Sequence, residues 1–203
     1  MDTLLQITGA TKSFGIKELF RDASMAVNEG EHIGVIGPNG AGKTTLFKVL
    51  AKLESFDSGQ VIKSRNLRLG YLKQDDDWGP NESVEDFVNR NSSLTSWEMK
   101  QLGRGLGLEL EHFERPMSAL SGCYKMRAKL LSLLGEQPNL LLLDEPTNYL
   151  DLETLVFFEA FLQEFKGAYL LISHDREFLR KTCDNILEIE SGEMTKFPGG
   201  LDD

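Results

Sequence analysis

The segment Gly37-Pro38-Asn39-Gly40-Ala41-Gly42-Lys43-Thr44 has the spacing G-x-x-x-x-G-K-T. Each residue type in it has a purpose if the ligand is a polyphosphate. Glycines let a backbone wrap closely around an anion and turn several N–H groups toward it. A helix starting near Lys43 adds its positive N-terminal end. Lys43 supplies a point charge for the β- and γ-phosphates, and the Thr44 hydroxyl has the reach to ligate Mg²⁺. Thr45 is placed to contact the α-phosphate. A second candidate set follows the apolar run Leu140–Leu143, which ends in Asp144-Glu145. Asp144 suits the Mg²⁺ shell. Glu145, one residue on and turned to the other side, suits a general base on the attacking water. Alone, this dipeptide reads more simply as a helix cap. With a phosphate loop upstream it reads as metal ligand and base.

Two further segments carry polar groups at element ends. Ser121-Gly122 open a helical pattern, either as a plain N-cap or as a second anion site made of a hydroxyl and free N–H groups. Ser173-His174-Asp175 end another apolar stretch, where His174 is either structural or within reach of a γ-phosphate.

The elements that must position these groups follow from periodicity. His32–Ile36 is a compact apolar strand running into the glycine-rich turn, and Lys43–Lys52 has helical spacing. Leu4–Thr8, Ser24–Asn28, Val61–Lys63 and Leu67–Leu72 read as short strands. From Asp75 the texture becomes acidic and turn-rich. Ser83 with Asp86 looks like a helix start, and a second helix is predicted over Trp97–Arg104. The stretch 79–134 is therefore expected to be an inserted helical lobe. Strands return at Leu140–Leu143 and Tyr169–Ile172, followed by helices at Leu152–Phe165 and Arg176–Thr182. Such alternation implies a largely parallel, helix-covered sheet. Asn185–Glu190 and Met194–Phe197 predict a closing hairpin around Ser191-Gly192.

Composition narrows the alternatives. The chain has 203 residues, 40% hydrophobic and 27% charged, with a net charge of −10. That excludes disorder and collagen-like repeats, and it makes general coating of nucleic acid or anionic membrane untenable. Two cysteines, Cys123 and Cys183, fit a reducing compartment better than a disulfide framework. No stretch approaches the roughly 20 apolar residues of a membrane span, and the first residues show no export signal. A soluble, cytoplasmic protein is expected.

Taken together, these segments resemble the ABC-type ATPase domain. Gly37–Thr44 match its Walker A motif, Gln74 its Q-loop, Leu120–Cys123 its signature, Leu140–Glu145 its Walker B, Asn148–Asp151 its D-loop and His174 its H-loop. All occur in the family's order and cover nearly the whole chain. Asp144-Glu145-Pro146-Thr147-Asn148-Tyr149-Leu150-Asp151 and Ser173-His174-Asp175-Arg176-Glu177-Phe178-Leu179 resemble the ABC-F branch. The resemblance implies an α/β fold: a P-loop NTPase core with a mostly parallel sheet, a small antiparallel β region and an inserted helical subdomain over 79–134 of a single domain, 1–203. It implies ATP and Mg²⁺ as cofactors, with Gln74 joining Thr44 and Asp144 at the metal. Phe14 stacks on adenine, unless it is a buried core residue. Glu145, His174 and Gln74 serve hydrolysis. Ser121, Gly122 and Asp151 act across an interface with a second ABC domain, in the same longer chain or in a homodimer. The branch further implies a partner in the ribosome and a role in translation. A membrane-transporter ATPase subunit and a nucleotide-dependent binding module with negligible turnover are the rival readings. Two features depart from the pattern. The second signature glycine is Cys123, whose side chain is expected to crowd a phosphate, the plainer alternative being a small apolar group packed into the helical lobe. The 203 residues carry one set of these motifs, and the chain is expected to be the first half of a larger protein, either excised or split.

Overall fold

The computed structural model describes residues 2–72, 77–148 and 150–201. Its elements in chain order are β1 Thr3–Phe14, β2 Lys17–Asn28, β3 His32–Ile36, α1 Lys43–Leu50, β4 Ser58–Lys63, β5 Leu69–Leu72, α2 Val84–Asn89, α3 Ser96–Gly105, α4 Leu110–Phe113, α5 Gly122–Gly135, β6 Leu140–Asp144, α6 Leu152–Glu164, β7 Ala168–Ile172, α7 Arg176–Thr182, β8 Asn185–Glu190 and β9 Glu193–Pro198. A six-stranded sheet has the order β5-β6-β7-β3-β8-β9. All its neighbours run parallel except the final hairpin β8–β9, which forms where the sequence predicts it.

The apolar runs in β6 and β7 are explained by burial on both faces. Along β6, Leu141 and Leu143 enter one hydrophobic cluster with helices α2, α5 and α6. Leu140 and Leu142 enter another with β1, β2 and α1. In β7, Tyr169 and Leu171 face the first cluster, and Ala168, Leu170 and Ile172 the second. Strand alternation thus persists, but no face is left for polar residues.

A second, antiparallel sheet has the order β2-β1-β4. Here β1 and β2 are 12 residues each, far longer than the strands expected over Leu4–Thr8 and Ser24–Asn28. Irregular register explains the difference. The β1–β2 pairing shifts between Ile7 and Ala10, Ala10 and Lys12, and Lys12 and Ser13, and Asp22 has φ 48°. Each shift changes which face a residue meets, so the period-two pattern is erased.

Between β5 and β6 the chain is mainly helical. The Ser83 hydroxyl accepts from the Asp86 N–H at 3.1 Å and caps α2, at the start the sequence marks. Thr95 and Glu98 form a reciprocal capping box on α3. Helix α4 and a 3₁₀ turn over Met117–Ala119 are too short for periodicity to reveal. No helix among the described residues is long and apolar enough to cross a membrane.

Candidate functional site

The site grows from three adjacent strand ends. Val35 of β3 and Asp144 of β6 both pair with Ile172 of β7, so the three strands finish level with one another. From these ends emerge the glycine-rich loop, Glu145 and Ser173-His174. This is the carboxyl edge, where open parallel sheets present their ligands.

The loop is built on glycine for steric reasons. Gly37 has φ 149°, and a Cβ there would stand 2.2 Å from the Ile189 carbonyl oxygen. Gly42 has φ 107°, and a Cβ would come 2.8 Å from the Phe20 ring. Gly42 is also the N-cap of α1 and offers no capping side chain, which leaves first-turn N–H groups for an anion. The Lys43 ammonium curls back over the loop and donates to the Gly37 carbonyl at 2.7 Å and the Pro38 carbonyl at 3.2 Å.

Asp144 is buried, and among the described residues its side chain accepts one hydrogen bond, from the Thr44 hydroxyl at 3.5 Å. Burial pushes its carboxyl above the usual range, with Thr44, Lys48 and Lys43 opposing. A buried carboxylate with a single long hydrogen bond is under-compensated. A divalent cation beside the Thr44 hydroxyl fits that deficit. Among the described residues there is no group of three or more His, Cys, Asp or Glu able to hold a metal. Mg²⁺ suits this sparse donor set, since it keeps most of its shell for water and phosphate oxygens.

Glu145 has φ 47°, the left-handed region that a non-glycine residue seldom enters. Its N–H donates to the Ile172 carbonyl at 2.9 Å. This turn sends its side chain away from Asp144 and onto His174. One carboxylate oxygen lies 3.2 Å from His174 Nε2, and the other accepts from the His174 N–H at 3.2 Å. The Glu145 side chain is 11% exposed and that of His174 65%. Asp175 caps α7 by accepting from the Phe178 N–H at 3.0 Å, which fixes where His174 leaves the strand.

One cleft of about 470 Å³ collects Phe14, Asn39, Gly40, Gly42, Lys43, Thr44, Thr45, Asp144, Glu145 and His174. Gly37, Pro38 and Ala41 belong to the same loop. Phe14 is 51% exposed, so it is no core residue. Lys12 Nζ supports its ring at 4.8 Å and is itself paired with Glu54 at 3.3 Å. Lys17 and Leu19 also line the cleft. Sequence reasoning passed over both. The available signal was their place just after Phe14, across a tight turn.

Ser121, Gly122 and Asp151 lie outside the cleft lining. Ser121 is the N-cap of α5, yet its side chain makes no capping hydrogen bond, and a Cβ on Gly122 would meet nothing within 4 Å. Asp151 caps α6, accepting from the Thr154 N–H at 2.8 Å and its hydroxyl at 2.6 Å. Cys123 corrects an expectation. It is buried, and Arg127 Nε donates to its sulfur at 3.2 Å, so the side chain does not face an incoming phosphate. Gln74 and Tyr149 lie outside the described residues. A second cavity, about 260 Å³ and lined by Tyr71, Arg90 and Lys129, receives none of the predicted site residues.

Residues 20–148 match the family described as ABC transporter. The chain is 37% identical over 204 residues to the ATP-binding protein Uup of Buchnera aphidicola subsp. Schizaphis graminum, covering 97% of this chain and 34% of that protein. It is 33% identical to the ribosome protection protein VmlR of Bacillus subtilis, covering 95% of this chain and 35% of that one. It thus spans about a third of the length of these curated relatives. A solved ATP-binding subunit of an ABC transporter superposes with a TM-score of 0.84 at 21% identity, over 99% of this chain and 91% of that one. The match spans well over half of the chain, and the chain's glycine-rich loop, strand ends and His174 share one edge. The chain belongs to the ABC transporter family of ATP-binding domains.

Proposed function

We propose that the chain is an ATP-hydrolysing ABC domain of ABC-F type, working with a second ABC domain in a cytoplasmic factor that acts on the ribosome. The observation that supports it most is the meeting of Lys43, Thr44, Asp144, Glu145 and His174 in one cleft at the ends of β3, β6 and β7. The loop N–H groups and Lys43 bind the phosphates, and Phe14 offers its exposed face to the adenine. Thr44 and Asp144 would hold Mg²⁺, joined by Gln74 as the resemblance implies, and the bound ion would offset phosphate charge as a Lewis acid. Glu145 accepts a proton from water, and His174 turns to the γ-phosphate. Ser121, Gly122 and Asp151 complete the site of the opposing domain. The Ser121 hydroxyl, which does not cap its own helix, and the open space over Gly122 suit such a contact. This reading treats residues 1–203 as one domain with a helical subdomain over 79–134.

The ribosome enters through the sequence Asp144-Glu145-Pro146-Thr147-Asn148-Tyr149-Leu150-Asp151 and through the named activity of one relative, VmlR. The test is sedimentation of the Glu145→Gln variant with purified ribosomes, with ATP·Mg²⁺ or without nucleotide. Co-sedimentation that requires ATP is expected. A variant that stays in the supernatant with ATP, and instead copurifies with a membrane protein, would place the chain with transporters.

A further inference from the structure

The tip of the β1–β2 hairpin carries two residues toward the phosphate loop. Phe14 and Lys17 are paired across the strands, closed by Gly15 and Ile16. Phe14 presents a ring to the cleft. Lys17 reaches farther: its Nζ lies 2.8 Å from the point where a Cβ on Gly40 would stand. Gly40, at φ 76°, is the midpoint of the glycine-rich turn, so the ammonium rests directly on the loop backbone.

The surrounding charges make this position informative. Among the described residues no carboxylate lies within 4.0 Å of Lys17, although the chain carries 32 acidic residues. The adjacent Glu18 pairs with Arg21 instead. Lys12, on the same hairpin, is neutralised by Glu54 and Asp57. Lys17 therefore stands with Lys43 over a loop already made positive by glycine N–H groups and the start of α1. Two ammonium groups and a helix N-terminus on one loop repel each other unless an anion is bound between them.

We propose that Lys17 is a second phosphate-binding cation of the nucleotide site, delivered by the same hairpin tip that offers Phe14 to the base. It rests on the nucleotide-site reading above and adds a residue to it. The base platform and a phosphate charge then sit on one stiff piece of antiparallel sheet, so a ligand with both adenine and a polyphosphate engages the tip at two points. A ligand with one of the two engages it at a single point. Lys17 binds and orients, and takes no part in proton transfer.

The experiment is calorimetric titration of ATP·Mg²⁺ and of adenosine into wild type, Lys17→Met, Lys17→Arg and Lys43→Ala, with melting temperatures recorded for each. The loss of one exposed charge-assisted contact predicts that Lys17→Met weakens ATP binding about five- to tenfold. Lys17→Arg should stay within about twofold because the charge is kept. Adenosine affinity and melting temperature should not move. Raising the salt should narrow the gap between wild type and Lys17→Met. Equal ATP affinity in wild type and Lys17→Met, with Lys43→Ala impaired, overturns the proposal and leaves the nucleotide site standing. Equal losses for ATP and adenosine overturn it too, because Lys17 then serves the fold or the base. No ATP binding by folded wild type overturns both readings.

Discussion

His174 holds Glu145 at both carboxylate oxygens: its ring Nε2 lies 3.2 Å from one, and its backbone N–H donates to the other at 3.2 Å. The left-handed φ of 47° at Glu145 directs the side chain there. In this arrangement the carboxylate meant to take a proton from water is already engaged by a neighbour. Of the two side chains, His174 is the exposed one and the one able to swing toward a phosphate. On the proposed roles, activation means His174 exchanging the carboxylate for the γ-phosphate, with Glu145 then turning to water. His174→Ala should keep ATP affinity within a few-fold and lose at least about tenfold in turnover, since the γ-phosphate loses the group proposed to orient it, and removing one such positioned donor costs about 10²–10³-fold. Paired binding and phosphate-release assays check this. Wild-type turnover in the variant would remove His174 from the scheme.

Glu145→Gln preserves an acceptor for the His174 N–H and removes the proposed base. It should bind ATP like wild type and hydrolyse it about 10²–10⁴-fold more slowly. If hydrolysis reopens a closed pair of domains, ATP·Mg²⁺ should also accumulate a dimer of this variant, visible by size-exclusion chromatography. Turnover within a few-fold of wild type would show that another group activates the water.

Asp144 pits stability against function. Burial raises its folded-state carboxyl above the unfolded value, so the folded chain binds the proton more tightly. The cost of burying the anion is absent below the unfolded value, appears as pH rises through the window between the two values, and is fully present above the folded one. Asp144→Asn should therefore raise the nucleotide-free melting temperature at neutral pH and leave it unchanged under acid conditions. If Asp144 ligates Mg²⁺ as proposed, the same variant should lose the extra stabilisation that Mg²⁺ adds to ATP binding. Thermal melts with ATP, with and without Mg²⁺, read both effects. A variant less stable than wild type at neutral pH would contradict the burial argument.

Cys123→Gly separates crowding from packing. The thiol is buried and accepts from Arg127, and that guanidinium also covers the Phe157 ring at 4.4 Å. Glycine would leave a small void, loosen Arg127 and weaken the first turn of α5. A loss of about 1 kcal/mol is expected, which lowers the melting temperature by roughly 2–4 °C for a chain of this size. Turnover should not rise. A faster variant of unchanged melting temperature would restore the crowding view.

How much of this could be read from residues alone depended on how local the determining physics is. The glycine-rich turn, the Ser83 cap and the β8–β9 hairpin are set by neighbours in sequence, and each formed where its residues indicated. The strands β6 and β7 were visible because burial on both faces leaves an unbroken apolar run. By contrast, the length of β1 and β2 is hidden by bulges that scramble alternation. The direction of the Cys123 side chain depends on Arg127 and the helices around it, which no spacing rule encodes. Lys17 escaped notice because a lone lysine after a turn is ordinary. Only the fold brings it over Gly40.

The central claim is that the cleft at the ends of β3, β6 and β7 binds ATP through the glycine-rich loop and Lys43. Among the described residues Lys43 bonds to carbonyl oxygens of its own loop, so Lys43→Ala should leave the melting temperature of the nucleotide-free protein close to that of wild type. Calorimetric titration of ATP·Mg²⁺ into the two proteins is the direct test. The account predicts measurable binding by wild type and a loss of about a hundredfold or more in the variant, as expected when a charge-assisted phosphate contact is removed. Equal affinity in two equally folded proteins would contradict it.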